Sequence, residues 1–389
     1  MESFTYALPT QIYFGKDQIE KLSEILKPYQ GKAVLLVYGK QSIKSIGIYE
    51  NIVSVMDALS ITRIEESGVR PNPEMQSVLS GREKCLKHNV EFILAAGGGS
   101  VIDAAKAIAF SVTMHEDEIW DVFLGKKKPE DALPLGTILT LAATGTETNG
   151  NTVVTNDATN QKRSCAYPFL IPQFSIIDPT YTMHVNTHYT YAGVTDIVMH
   201  VFEQYFSKTE RTETADYLSF GLLKSVIENT ERLNRGEDDY DTRSNISWAA
   251  TIGLSWLLAQ GKKGDWATHQ LSYPYTQKYG VTHGYALTSI YPAYLETILD
   301  ASPSIVAPRL AFLGRELFET EHPEQVIEAI KNMLEKIFKA PTTFEAAGHI
   351  PDDDTIEWMA DTVTIVGPVG GFVKVDRAMA ENVYRKAIK

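Results

Sequence analysis

Val90-Glu91-Phe92-Ile93-Leu94-Ala95-Ala96-Gly97-Gly98-Gly99-Ser100-Val101-Ile102-Asp103-Ala104-Ala105-Lys106 joins an apolar run to three glycines and then to residues of good helix propensity. An apolar run that does not alternate is the pattern of a strand buried on both faces, as in a parallel sheet covered by helices. Glycines between strand and helix let backbone N–H groups approach an anion such as a pyrophosphate at the positive end of the helix, where a side chain would block it. The alternative is a tight turn without a ligand, and the usual G-x-G-x-x-G spacing is absent.

Upstream, Ala33-Val34-Leu35-Leu36-Val37-Tyr38 is a second such run, ending at Gly39, which begins a turn into Ser42-Ile43-Lys44. A helical pattern to about Leu59, a short strand at 61–64 and a helix from Pro73 lead back to the glycine stretch, so the topology expected is βαβ. Downstream, a strand over 136–141 leads into Ala143-Thr144-Gly145-Thr146-Glu147-Thr148-Asn149-Gly150, whose hydroxyls suit either a phosphate or ribose or ordinary turns and caps. Lys162-Arg163 and a strand over 174–178 close this half at Pro179. At the other end, Phe4-Thr5-Tyr6-Ala7-Leu8 and Gln11-Ile12-Tyr13-Phe14-Gly15 alternate as two strands split by Pro9 and are expected to pair with a neighbouring subunit.

The character changes beyond that point. Helical patterns follow over 189–207, 212–231, 242–260, 285–299, 302–318, 323–338 and 375–388. The fold class expected is therefore an α/β dinucleotide-binding domain with a parallel sheet, residues 1–180, followed by an all-α metal-binding domain, residues 181–389.

Within the first of those helices Asp196 and His200 stand four apart, so one carboxylate and one imidazole project from the same face. His269 and His283 can complete a set of one carboxylate and three imidazoles, which suits Fe²⁺ or Zn²⁺ and not the oxygen-seeking Ca²⁺ or Mg²⁺. The alternative is a helix-face Asp–His hydrogen bond with two unrelated histidines.

With 389 residues, 44% hydrophobic and 22% charged, the chain is long enough for two cores. A formal charge of −13 disfavours nucleic acid or an anionic membrane as partner. Two cysteines, Cys85 and Cys165, are too few for a disulfide scaffold and fit a reducing compartment. Met1-Glu2-Ser3-Phe4-Thr5-Tyr6 lacks the features of a signal peptide, and the longest apolar-rich segment, 246–259, is too short to span a bilayer. The cytoplasm is the location expected.

Taken together, Phe14-Gly15, Gly97-Gly98-Gly99-Ser100-x-x-Asp103-x-Ala105-Lys106, Thr140-x-x-x-Thr144-Gly145-x-Glu147, Asp178-Pro179, Asp196-x-x-x-His200 and His269 with His283 resemble the iron-containing (group III) alcohol dehydrogenases, particularly their butanol dehydrogenase branch. The resemblance spans nearly the whole chain. It implies that the N-terminal domain binds a nicotinamide cofactor, that the helical domain holds the metal, and that the active site lies in the cleft between them. Asp196, His200, His269 and His283 are then the metal ligands and catalytic centre. Gly97, Gly98, Gly99 and Ser100 hold the pyrophosphate, with Asp103, Thr140, Thr144, Asn149 and Lys162 around the cofactor. The pattern departs from the family at Tyr273, where family members usually carry a further histidine suggested as a proton carrier.

The activity implied is aldehyde reduction and its reverse, with Fe²⁺ as the family's ion and Zn²⁺ as the alternative. Trp266, Tyr273 and Tyr275 flank the ligands and suggest an aromatic pocket for a straight-chain aldehyde such as butanal. Family analogy also admits a glycerol-type polyol dehydrogenase or a dehydroquinate-synthase-like lyase, and a cofactor or metal sensor without turnover is a third reading. A homodimer joined through the N-terminal strands is expected. For the nicotinamide, NAD-dependent members tend to carry Asp just past the strand formed here by Ala33 to Tyr38, where this chain has Gly39. Glycine removes the negative charge that repels a 2′-phosphate, while Lys40, Ser42 and Lys44 offer donors, so NADP(H) is expected.

Overall fold

The computed structural model describes residues 1–159 and 161–389. Two compact units emerge: Ala7–Val185 with Asp239–Ser247, and Met1–Tyr6 with Asn186–Asp238 and Trp248–Lys389. No helix among the described residues is long and apolar enough to cross a membrane.

In the first unit the strands are β1 (Gln11–Phe14), β2 (Ala33–Tyr38), β3 (Thr62–Glu66), β4 (Phe92–Gly97), β5 (Leu135–Leu139), β6 (Asn151–Asn156), β7 (Gln161–Ala166) and β8 (Phe174–Ile177). Six make one sheet in the order β1-β8-β5-β4-β2-β3, with every neighbouring pair parallel. Because side chains alternate across a strand, Val34, Leu36 and Tyr38 of β2 pack with Ile48, Ile52 and Met56 of the helix Ile48–Ala58 on one face. Leu35 and Val37 pack with Ile102, Ala105 and Ile108 of the helix Gly99–Ser111 on the other. Two cores, one on each face, explain why β2 and β4 are apolar throughout.

The chain order reverses between β2 and β4: β3 lies on the far side of β2, whereas β5 and β8 continue from β4. Val37 pairs with Ala95 and Tyr38 with Ala96, so both strands end together. In open α/β sheets the crevice beyond the carboxyl ends at such a reversal is where ligands bind. Gly39 follows β2 there, and Gly98 follows β4.

Several expectations change. Phe4 to Leu8 form no strand and are exposed, while Gln11–Phe14 enters the sheet at its edge beside β8. Five alternating residues are too weak a pattern without a partner strand inside the chain. A β6–β7 hairpin, with Lys162 opposite Thr155, lies outside the expected strands: β6 has the β-branched Thr-Val-Val-Thr, but its partner Gln-Lys-Arg-Ser-Cys-Ala is polar and carries little strand signal. The expected helix over 242–260 stops at Gly253, and Trp256, three residues beyond, adopts a left-handed backbone with φ 64° before a short 3₁₀ turn over Leu257–Ala259. Two helices, Ala267–Tyr279 and Asp353–Thr364, lie outside the helical patterns of the sequence. The first contains Pro274 and has little apolar periodicity, so its signal was masked.

Candidate functional site

In the helical unit, Asp196 and His200 project from the helix Thr187–Tyr205, whose start is capped by Asn186 accepting from the Tyr189 N–H. His269 lies in the first turn of Ala267–Tyr279, and His283 begins His283–Thr288. Gly284 allows that last helix to approach: a Cβ there would lie 2.2 Å from the Ala192 carbonyl oxygen of the ligand helix. The Nε2 atoms of His200, His269 and His283 stand 3.8, 3.9 and 3.8 Å from Asp196 Oδ1. Asp196, His200 and His269 are buried, and their ligand atoms fall within 4.8 Å of one another.

These contacts are not hydrogen bonds, and the His200 contact is not an ion pair. The separations are too long for the first, and burial pushes the His200 imidazole down to about 4 despite the opposing Asp196 carboxylate, so its ring is neutral at pH 7. Asp196 Oδ1 is buried and accepts no hydrogen bond. Leaving a carboxylate oxygen in that state is costly unless a cation compensates it. Ligand atoms about 2.1 Å from a common tetrahedral ion would be roughly 3.4 Å apart, so the observed set is a slightly open version of that arrangement. The residues fit a divalent ion.

Trp266 lies beside these ligands, its ring 5.3 Å from that of His269 and 6.2 Å from that of His200, with Trp256 6.0 Å beyond. Both tryptophans have φ 64°, which is uncommon for bulky residues and persists where surrounding structure holds it. Tyr273 is half-buried one turn beyond His269. Tyr275 is not a site residue: it is fully buried, packs on Phe344 with ring centroids 4.3 Å apart, and donates to the His349 carbonyl.

In the α/β unit the glycines act by excluding side chains. A Cβ would come within 2.6 Å of Val101 Cγ2 at Gly97, 3.2 Å of Leu141 Cβ at Gly98 and 2.6 Å of Thr144 Oγ1 at Gly99. Thr144 therefore packs against the turn, and Thr140 is joined to it by its N–H donating to the Gly97 carbonyl. No side chain caps the start of Gly99–Ser111, which leaves the positive end of that helix for an anion. Ser100 Oγ accepts from the Asn72 N–H at 3.3 Å, and Asn72 Oδ1 accepts from Lys162 Nζ at 2.8 Å. Asn72, left-handed at φ 57° between two prolines, thus ties together two expected cofactor residues that lie far apart in sequence.

Asp103 and Asn149 are engaged by the protein itself. Asp103 accepts from Thr146 Oγ1 at 2.9 Å and the Val153 N–H at 3.3 Å, and burial pushes its carboxyl up despite the nearby Lys106 ammonium. The Asn149 amide donates to the Gly145 carbonyl and accepts from the Asn151 N–H. Lys106 is fully buried and donates to the carbonyls of Thr146, Asn149 and Asn151 and to Thr146 Oγ1 at 2.6 to 2.9 Å. It organises the loop that carries Thr144, a role its place one turn after Asp103 hinted at. At the first turn, Ser42 is exposed, and Lys44 Nζ lies over the rings of Tyr38 and Tyr49 at 5.3 and 4.7 Å. A Cβ on Gly39 would meet only the Val69 carbonyl oxygen at 3.6 Å and Val101 Cγ2 at 4.0 Å, so a side chain fits there.

A doubly wound dinucleotide fold with a His₃Asp cluster in a separate helical unit defines a metal-dependent dehydrogenase class. The iron-containing alcohol dehydrogenase family matches residues 9–179, and the C-terminal part of the Fe-containing alcohol dehydrogenase family matches residues 190–388. The chain belongs to the iron-containing alcohol dehydrogenase family. It is 37% identical over 97% of its length to the probable NADH-dependent butanol dehydrogenase 1 of Bacillus subtilis (strain 168), of which it covers 97%. It is 33% identical to an NADPH-dependent aldehyde reductase of Escherichia coli (strain K12), over 87% of each chain. The crystal structure of NADH-dependent butanol dehydrogenase A from Thermotoga maritima superposes with a TM-score of 0.93 at 33% identity, covering 100% of this chain and 99% of that one.

Proposed function

We propose that the protein reduces a straight-chain aldehyde such as butanal to the alcohol, and catalyses the reverse, using NADP(H) and a ferrous ion held by Asp196, His200, His269 and His283. The observation that carries this reading is the buried, unpartnered Asp196 Oδ1 with three imidazole Nε2 atoms 3.8 to 3.9 Å away. When bound, the ion supplies Lewis acidity toward the carbonyl oxygen and the nicotinamide supplies hydride. Asp196 supplies the negative charge that fixes the ion, and the neutral His200 supplies a lone pair. Trp266, with Trp256 behind it, offers an apolar wall that suits an alkyl chain over a polyol. In the other unit, the turn at 97–100 and the start of its helix receive the pyrophosphate, with Thr140, Thr144 and Lys162 around it. Asp103, Lys106 and Asn149 shape that loop.

For the nicotinamide, support for NADP(H) is the uncharged Gly39 at the end of β2 with Lys40, Ser42 and Lys44 following. Relatives of both preferences exist, named NADH-dependent and NADPH-dependent. Zinc would bind such a set more tightly than ferrous iron in the general affinity order, so activity after anaerobic reconstitution with each ion decides the metal. The exposed segment from Phe4 to Leu8 and the edge position of β1 support a homodimer, and light scattering giving the mass of one chain would count against it. The main test is His269→Ala. Metal content and butanal-dependent NADPH oxidation should both be lost, and full reductase activity in a demonstrably metal-free variant would overturn the reading.

A further inference from the structure

Glu203 is a buried carboxylate that none of the ligand or cofactor assignments uses. It lies on the ligand helix Thr187–Tyr205, three residues after His200 and seven after Asp196, and so on the same face as both. Its Oε1 accepts from the backbone N–H of His269 at 2.9 Å and from the imidazole Nδ1 of His269 at 3.0 Å. Burial pushes this carboxyl up, and the nearby backbone N–H groups of His269, Trp266 and Thr268 oppose that rise.

Two consequences follow from these contacts. The helix Ala267–Tyr279 has no side-chain cap of its own, because Trp266 at its cap position offers none. Glu203 fills that role from another helix, satisfying the His269 N–H that would otherwise be orphaned at a buried end. Its oxygen also fixes the tautomer of the ring. An oxygen that already accepts a backbone N–H accepts a second hydrogen bond from Nδ1–H, and with the proton kept on Nδ1 the ring lone pair is on Nε2, the atom that faces Asp196 Oδ1 at 3.9 Å.

Neighbouring contacts fix Glu203 in turn. The Asp265 N–H donates to the Glu203 carbonyl at 2.7 Å, and a side chain at Gly264 would meet that same carbonyl at 2.7 Å, so residues 264 and 265 lie directly against it. Asp265 accepts from the N–H groups of Gly371 and Phe372 and from the hydroxyl of Tyr294. The loop entering the His269 helix is thus anchored from two sides, and Glu203 is the anchor that touches the imidazole.

We infer that Glu203 is a positioning residue for the metal site: it holds the His269 ring in the orientation and tautomer that present Nε2 to a divalent ion, and it couples two of the three helices that bear ligands. The inference rests on the metal-site reading above. Carboxylates that hold a ligating histidine in this way typically change metal affinity by about 10–100-fold when removed.

The test compares wild-type protein, Glu203→Gln and Glu203→Ala, each stripped of metal. The apparent Kd for Zn²⁺ is measured by competition with a chromophoric chelator, and the thermal unfolding of each metal-free protein is recorded beside it. Glutamine keeps an oxygen for the backbone N–H groups but loses the charge. It should leave the metal-free unfolding temperature near wild type while weakening Zn²⁺ binding about 10-fold or more. Alanine should lower both. Wild-type Zn²⁺ affinity in Glu203→Gln would overturn the positioning role and leave the metal site standing, as would a loss of stability alone in Glu203→Ala with unchanged affinity of the folded protein. Failure of the wild-type protein itself to bind Zn²⁺ would overturn the metal-site reading and this inference together.

Discussion

Lys106→Met isolates the buried ammonium that organises the loop beside the glycine turn. Methionine has nearly the same length and is apolar, so packing is retained while every hydrogen bond from Nζ is lost. The buried carbonyls of Thr146 and Asn149 lose their shared donor, and the half-buried Asn151 carbonyl keeps only the longer contact from Thr146 Oγ1. Asp103 loses the nearest positive charge that offsets its burial. An orphaned buried acceptor costs about 1–3 kcal/mol, and removing one partner of a buried pair about 3–5 kcal/mol. The two losses overlap because they describe the same cation, so about 4 kcal/mol is the expected destabilisation. In a unit of this size that lowers the unfolding temperature by about 8–16 °C. Unfolding in urea, followed by fluorescence and by circular dichroism, measures it. The double variant Lys106→Met with Asp103→Asn should lose less than the sum of the single changes, since the second removes the charge the first leaves uncompensated. A loss below about 1 kcal/mol in Lys106→Met would refute the reasoning, because that is the ordinary range for positions without such a network. The same variant should bind NADPH more weakly, as Thr144 sits on the loop that Lys106 holds.

Gly39→Asp should shift kcat/KM from NADPH toward NADH, since a side chain there meets nothing closer than 3.6 Å and brings a charge that repels a 2′-phosphate. Better use of NADH by the wild-type protein, or no shift in the variant, would remove this turn from the argument. Gly99→Ala places a methyl 2.6 Å from Thr144 Oγ1, so titration should show weaker NADPH binding, and unfolding a loss of about 1–3 kcal/mol. Unchanged binding would show that the turn tolerates a side chain. Burial pushes the thiols of Cys85 and Cys165 up to about 12. The folded state therefore keeps a proton that the unfolded chain gives up near pH 9, so this contribution is fully present below pH 9 and is lost as pH rises toward about 12. Thiol-reactive dyes should label the buried Cys85 slowly at pH 7 until denaturant is added, and the half-buried Cys165 faster; rapid native labelling of Cys85 would contradict its burial.

The sequence by itself determined the order of elements around the glycine turn and the residue types of the metal set. Both depend on local physics: apolar runs without alternation mark β2 and β4, glycines mark a turn that excludes side chains, and a four-residue spacing puts Asp196 and His200 on one helical face. It did not disclose what depends on distance along the chain. That His269 and His283 return to within 4 Å of Asp196 is decided by how helices pack, down to the missing side chain at Gly284. That Asp103 and Asn149 serve the loop is decided by which partners reach them first in the folded state, namely Thr146, Val153, Gly145 and Asn151. Tyr275 shows the same limit, since its spacing from His269 turns it to the far side of the helix, where Phe344 covers it. Glu203 lay in view three residues beyond His200, yet a carboxylate on a helix becomes a cap and an imidazole anchor only when another helix begins against it. Local sequence sets backbone conformation and chemical type, whereas hydrogen-bond partners and burial belong to the three-dimensional arrangement.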